Sequence, residues 1–292
     1  MRVWVFSLLL FPLLAVGAYA DLLGTASNFA VLGGSATTNT HSTTITGDYG
    51  VWSGTSLAMT GITLTGASAA HNSDAVAKQA QADLTTAYLG LNALVPTVNY
   101  SVPKDLGGLT LTPGVYKFDS SAAVTGMLIL DAGGISNALF VFQIGSTLTT
   151  ASSAGVTINN PGLNDAVYWV VGSEATIGTG TQFEGNILSL AGIALQTGAT
   201  IGCGRALNQT PGPVTMDTNT ISIGCGTNES SSNGLSGVGG GGQVLSFDTY
   251  GNVVGSGNVL VVAAVPEPSA WVLLGSIIAV LAAQRRWARA KV

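Results

Sequence analysis

The chain has 292 residues, of which 40 are glycine and only 8% are charged, and its formal net charge is −5. So low a charged fraction can indicate a membrane protein, but the long apolar runs are confined to the two ends. Between 21 and 265 there are four basic and thirteen acidic residues. This balance excludes a nucleic-acid-binding protein, which needs cations against phosphates.

Both ends have the composition of export and sorting segments. Residues 1–20 combine Arg2, an apolar run and the exit Ala18-Tyr19-Ala20, which predicts a signal peptide cleaved after Ala20. At the other end, 266–292 hold an uncharged run over 269–283 that is short for a bilayer crossing of about 20 residues. The basic residues behind that run would stay on the cytoplasmic side. We therefore expect a secreted or cell-surface protein whose body contacts the membrane only through this segment.

One helix is predicted, over 73–95. Ser73 or Asp74 can cap its start, Pro96 follows its end, and apolar residues recur at steps of three and four. These residues are Val76, Ala80, Leu84, Ala87, Leu91 and Leu94.

Strand patterns occupy the rest of the body, before the helix and again from 109 onward. Four segments, 148–152, 177–181, 195–200 and 216–220, share one arrangement, in which an apolar residue and one spacer precede Thr. A unit of about 20 residues matches one coil of a β-solenoid. We count about seven coils of up to three strands, about 34 Å in all. Since the helix spans about 35 Å, it should lie along the stack and interrupt the solenoid in sequence order.

The remaining polar residues give few candidate sites. Cys203 and Cys225 each follow Ile-Gly and are about one coil apart, which predicts a disulfide. No zinc or calcium spacing occurs, so we expect no metal or other cofactor. His41 and His71 are interpreted as surface residues.

The segment 227–265 begins with linker composition, over 227–241. Its part 243–263 is predicted to be either a small hairpin or an extended tether.

Seven blocks of the chain resemble the microbial ice-binding proteins. Two of them are Phe29-Ala-Val-Leu-Gly-Gly-Ser and Thr197-Gly-Ala-Thr-Ile-Gly-Cys-Gly, and the others lie at 44–51, 82–88, 112–116, 140–151 and 169–181. The resemblance covers about 21–226. It implies a mainly β fold, a discontinuous right-handed β-solenoid with one long flanking helix, that binds the surface of ice crystals as a monomeric body and is not an enzyme. Residues 266–292, with Pro266-Glu267-Pro268, resemble a PEP-CTERM signal, which implies exosortase processing in a Gram-negative bacterium.

The resemblance also implies that ice binds to one flat solenoid face with a Thr-Ala/Gly-x-Thr/Asn pattern. The residues that follow from it are Thr150, Ser152, Ser153, Thr179, Thr181, Thr197, Ala199, Thr200, Thr218 and Thr220. The direction of each side chain stays open, since strict alternation from the core residues would turn Thr150 and Thr179 inward.

Two other classes of protein fit the sequence less well. A surface adhesin or matrix protein that binds polysaccharide would expose aromatic residues in a row, whereas Tyr168 and Trp169 should lie in the core. A polysaccharide lyase needs basic residues for proton abstraction, and the body has few. Glu174 and Glu184 are interpreted as solvated rather than as a glycosidase pair.

Overall fold

The computed structural model describes residues 22–162, 165–209 and 211–224, together with the backbone of two short strands at 245–247 and 253–256. The predicted signal peptide and the segment 266–292 lie outside the described residues. Within the described part, no helix is long and apolar enough to cross a membrane.

The chain begins with a 3₁₀ turn, Gly24–Asn28, and seven strands that wind through two coils and the start of a third. These strands are β1 (Phe29–Gly33), β2 (Ala36–Thr40), β3 (Thr43–Thr46), β4 (Asp48–Val51), β5 (Ser56–Leu57), β6 (Ile62–Thr65) and β7 (Ala70–Asn72). The helix α1 (Ala75–Asn92) follows, and Asp74 caps it by accepting a hydrogen bond from the Ala77 backbone N–H.

After the helix the chain returns to strands. They are β8 (Val98–Tyr100), β9 (Lys104–Asp105), β10 (Thr110–Leu111), β11 (Gly114–Phe118), β12 (Ala122–Val124), β13 (Met127–Asp131), β14 (Leu139–Ile144), β15 (Leu148–Thr150), β16 (Gly155–Asn159), β17 (Ala166–Val171), β18 (Glu174–Ile177), β19 (Gln182–Ser189), β20 (Gly192–Leu195), β21 (Thr200–Asn208), β22 (Val214–Asp217), β23 (Thr220–Ser222), β24 (Leu245–Phe247) and β25 (Val253–Ser256). The last two pair antiparallel, as a small hairpin would.

The solenoid has three faces. One is a separate sheet, the front sheet, in the order β5-β2-β22-β20-β18-β15-β12-β9. The other two belong to one larger sheet that bends at a corner, because β19 and β21 run through both faces. The side face has the order β6-β3-β23-β21-β19-β16-β13-β10, and the helix-side face has the order β7-β4-β1-β21-β19-β17-β14-β11-β8.

The stack is discontinuous in sequence order. The last coil of the described chain pairs with the first one, since β22 lies beside β2 in parallel. The front sheet has eight strands, one more than the predicted number of coils. The sequence pattern overlooked the coil directly after the helix, because β8, β9 and β10 are only two or three residues long.

The helix lies along the helix-side face, as predicted. Gln81 Nε2 donates to the carbonyl of Asn208 in β21 at 2.9 Å, and Gln143 Nε2 in β14 donates to the carbonyl of Leu91 at 2.8 Å. The ten positions from Gln81 to Leu91 rise about 15 Å. The three strand spacings from β21 to β14 cover about 14 Å, so helix and stack run together.

The buried face of the helix differs from prediction at its start. Ala77 is buried and Val76 is exposed, because the buried stripe of the helix begins one residue later than predicted.

Inside the solenoid, Trp169 stacks on Phe142 with ring centroids 3.9 Å apart. Trp169 and Tyr168 are both buried, which confirms their placement in the core.

Candidate functional site

The front sheet carries an ordered row of small side chains at its centre. Successive register partners across six strands are Ala123, Thr149, Thr176, Ala194, Thr215 and Thr38. Each of these residues is partly or largely exposed. Its neighbours along the strand are buried, except that Asn39, which follows Thr38, is only partly buried. At about 4.8 Å per strand, this central row spans about 24 Å. It ends at Asp105, the register partner of Ala123.

The sequence prediction missed this row. Thr149, Thr176 and Thr215 come directly after one buried residue and directly before another, so strict alternation along each strand would have identified them. The prediction instead followed the Thr residues at the ends of these strands, where the chain turns a corner.

The predicted residues lie mainly at the corner between the front sheet and the side face. Ser152, Thr179 and Thr197 are exposed there. Each precedes a residue in left-handed conformation, with φ of 59° at Ser153, 66° at Gly180 and 72° at Gly198. The backbone N–H of each left-handed residue donates to the next coil, as from Gly180 to the carbonyl of Thr197 at 3.0 Å. The corner is therefore a stacked, hydrogen-bonded ridge.

Three predicted contact residues are wrong, because their side chains point into the protein. Thr150 is 4% exposed, and Thr181 and Ala199 are completely buried. The Thr150 hydroxyl accepts a hydrogen bond from the Gly178 backbone N–H at 2.8 Å, and the Thr181 hydroxyl donates to the Ala151 carbonyl at 3.0 Å. These hydroxyl groups support the corner from inside and cannot contact a surface.

Two predicted residues belong to the side face instead. Thr200 and Thr220 are register partners, and Thr44 and Thr63 continue the row. A parallel row contains Ser222, Thr46 and Thr65. These hydroxyls cover four coils at one end of the stack. Gln182 follows Thr200 at the other end of the row, and Met127 lies two strands beyond it.

Asp217 is the charged group of the corner. Its carboxylate accepts hydrogen bonds from the Thr197 hydroxyl at 2.5 Å and the Thr218 hydroxyl at 3.0 Å, and its Oδ1 lies 2.7 Å from His41 Nδ1. These contacts, that of Thr197 first, hold the pKa of Asp217 below its usual value. Thr218, a predicted contact residue, is exposed and itself in left-handed conformation.

The histidines and glutamates differ in environment. His41 is exposed, as predicted, whereas His71 is mostly buried against Phe29, with Nδ1 at 2.8 Å from Asp74. Glu174 is exposed, as expected, while Glu184 accepts a hydrogen bond from the Ile158 backbone N–H and is only partly exposed. No cluster of three potential metal ligands occurs among the described residues.

Only one cysteine of the predicted disulfide lies among the described residues. Cys203 is buried in β21, and no free cysteine occurs in the described part of the chain. Cys225 lies outside the described residues, so the pairing stays a prediction.

A stacked three-faced solenoid with a helix on one face and rows of Thr on the others places the chain among the β-solenoid proteins. The Ice-binding-like family model matches residues 31–222. The chain therefore belongs to the ice-binding-like family, as its sequence blocks indicated.

Individual relatives agree with this assignment. An ice-binding protein of Nostoc sp. (strain HG1) is 54% identical over 213 residues, which cover 73% of this chain and 78% of the relative. An ice-binding protein of Colwellia sp is 33% identical and covers 71% of this chain and 85% of its own. The crystal structure of an ice binding protein from an Antarctic biological consortium has a TM-score of 0.65 at 44% identity, covering 73% of this chain and 95% of that one.

Proposed function

We propose that this protein adsorbs to ice crystals through the front sheet and limits their growth and recrystallisation. The observation that carries this proposal is the central row, in which Thr or Ala points outward on six successive strands without a charged residue. The predicted residues Ser152, Thr179 and Thr197 form the rim of the same sheet.

The front sheet is favoured over the other two faces on geometric grounds. The helix covers the helix-side face. On the side face, the row of hydroxyls is broken by the exposed Gln182 and Met127. On the front sheet, the central row contains only Thr and Ala across six strands. A flat contact with a crystal plane therefore fits the front sheet best.

The physical basis is collective. A single Thr hydroxyl gains little from binding ice, because it exchanges one water partner for another. Side chains fixed at the strand spacing are already ordered, so the row binds without an ordering cost at each contact. Methyl groups and hydroxyls also lack the tightly held hydration of charged groups, and bridging waters can be nearly as favourable as direct hydrogen bonds.

The finer predictions about processing belong to the same proposal. The protein would be secreted by its signal peptide, sorted by an exosortase near Pro266–Pro268 in a Gram-negative host, and act as a non-enzymatic, monomeric body. Intact-mass measurement of protein from the native host tests the processing. A form that retains residues 285–292 in the outer fraction would contradict cleavage of the sorting segment.

The experiment that tests the function is a measurement of thermal hysteresis and ice recrystallisation inhibition on the full-length protein. Thr176→Tyr places a ring in the middle of the central row, and Thr86→Tyr is the matched control, because Thr86 is exposed on the helix. We expect activity in the wild type and the control and its loss in Thr176→Tyr. Inactivity of the wild type in both assays would reject ice binding.

A further inference from the structure

Asp217 ends the front-sheet strand β22 at the corner, and its backbone is held on both sides. Its N–H donates to the side-chain oxygen of Asn219 at 2.6 Å, and its carbonyl accepts from the Gly198 N–H at 3.0 Å. Asn219 is itself buried, and its side chain donates to the carbonyl groups of Gln196 and Ala199, both at 2.9 Å. The carboxylate of Asp217 therefore stands on a part of the corner that is fixed from inside.

The carboxylate connects three successive coils. Its partners are the Thr197 hydroxyl from the coil of β20, the Thr218 hydroxyl of its own coil, and His41 from the coil of β2. These three strands are neighbours in the front sheet, so the contacts cover two strand spacings, about 10 Å. An ionised carboxylate only accepts hydrogen bonds, so the proton on Nδ1 of the imidazole points toward it. One group thus orders three exposed side chains along the rim.

A carboxylate beside a surface that contacts ice needs a reason, because a charged group is costly to separate from its hydration water. Only 27% of the Asp217 side chain is exposed. The protein supplies partners for three of the about four acceptor sites of the carboxylate, so protein donors replace most of its water shell. The groups presented at this place are mainly its three partners, whose rotation the hydrogen bonds restrict.

We propose that Asp217 is a positioning residue of the ice-contacting surface, which fixes the rotamers of its three partners at the rim before ice is bound. This inference rests on the proposed function of the front sheet. A restrained side chain loses less conformational entropy on adsorption than a freely rotating one. The rim therefore extends the central row at little ordering cost, and Asp217 acts through its partners rather than through contact with the crystal.

The test compares Asp217→Ala with the wild type in the full-length protein by two measurements. NMR three-bond couplings should report one dominant χ1 rotamer for Thr197 and Thr218 in the wild type and averaging among rotamers in the variant. Thermal hysteresis should fall about two-fold or more, because the rim loses its order. Glu174→Ala is the matched control, because it removes an exposed carboxylate from the other end of a front-sheet strand, and we expect it to change neither measurement.

The pH provides a readout that a merely structural role would not change. The hydrogen bonds, that of Thr197 first, lower the pKa of Asp217, so the ionised form persists below the ordinary value of about 3.9. Rotamer averaging at Thr197 should appear as the pH falls through the lowered pKa. Among the described residues, His41 is the titratable group in contact with the carboxylate, and the other contacts are Thr hydroxyls. Asp217→Asn should lack this step.

Asp217→Asn also keeps the shape of the side chain and one acceptor oxygen, so its hysteresis should lie between those of the wild type and Asp217→Ala. If circular dichroism shows that Asp217→Ala does not fold, the comparison of Asp217→Asn with the wild type decides. Unchanged Thr197 couplings, unchanged hysteresis, or an equal loss in Glu174→Ala would each overturn the proposal. An inactive wild type would reject ice binding and this proposal with it, whereas equal activity of wild type and variants rejects this proposal alone.

Discussion

The hydroxyl oxygens of Thr150 and Thr181 lie 2.9 Å apart beneath the corner of the front sheet, although the two residues are 31 positions apart in sequence. Together they satisfy the Gly178 backbone N–H and the Ala151 carbonyl. They connect two adjacent coils at the place where the chain changes direction. The corner thus depends on polar contacts inside as well as on the exposed hydroxyls above them.

Thr150→Val should therefore destabilise the protein. The substitution preserves the shape of the side chain but leaves the Gly178 backbone N–H without its acceptor, at a cost of about 1–3 kcal/mol. The measurement is the free energy of unfolding in urea. Thr149→Val is the matched control, because Thr149 is the exposed neighbour in the same strand, and we expect it to change stability by less than about 0.5 kcal/mol. Equal effects of the two substitutions would contradict an internal role for Thr150.

The carboxylate of Asp217 gives a prediction about pH. Its pKa is lowered by hydrogen bonds, so the folded protein binds this proton less readily than the unfolded chain. The resulting stabilisation is present above the ordinary Asp value of about 3.9 and is lost as the pH falls through the lowered pKa. An NMR titration should give a pKa below the ordinary value. Thr197→Val and His41→Ala should each raise it, since both side chains contact the carboxylate and lower its pKa. A normal pKa in the wild type would contradict these contacts.

The predicted Cys203–Cys225 disulfide would close the end of the last coil. Cys203→Ser should lower the free energy of unfolding of oxidised protein by about 2–4 kcal/mol. Reduced wild type should show the same loss, and reduction should leave Cys203→Ser unchanged. Mass spectrometry under non-reducing conditions provides the direct check. Two alkylated thiols in exported protein would show that the bridge does not form.

Residue patterns predicted the helix well because its period is local. The cap at Asp74 and the buried Leu84, Ala87 and Leu91 follow from spacing alone. The pairing of β2 with β22 is harder to predict from sequence, because it joins segments that lie far apart in the chain. The short coil after the helix, β8 to β10, was overlooked for a different reason, because two or three residues are too few to show alternation.

The direction of the Thr side chains was the hardest feature to predict. Within a strand, alternation separates the exposed Thr149 from the buried Thr150. At the corner, a residue in left-handed conformation resets that phase, so that Thr179 is exposed and Thr181 is buried two residues later. Thr fits either environment, since its methyl group can pack and its hydroxyl can bond. Residue type therefore gave no signal to separate the proposed contact surface from its internal support.

A series of Tyr substitutions should locate the ice-contacting surface. A ring in the middle of a flat array separates many neighbouring contacts from the crystal, whereas a ring at the rim separates few. We therefore expect thermal hysteresis to fall most in Thr176→Tyr, less in Thr197→Tyr at the corner, and least in Thr220→Tyr on the side face. Thr86→Tyr on the helix controls for the ring itself, and circular dichroism confirms folding in each case. A greater loss in Thr220→Tyr than in Thr176→Tyr would transfer the contact surface to the side face, where Thr200, Thr220, Thr44 and Thr63 form the alternative row.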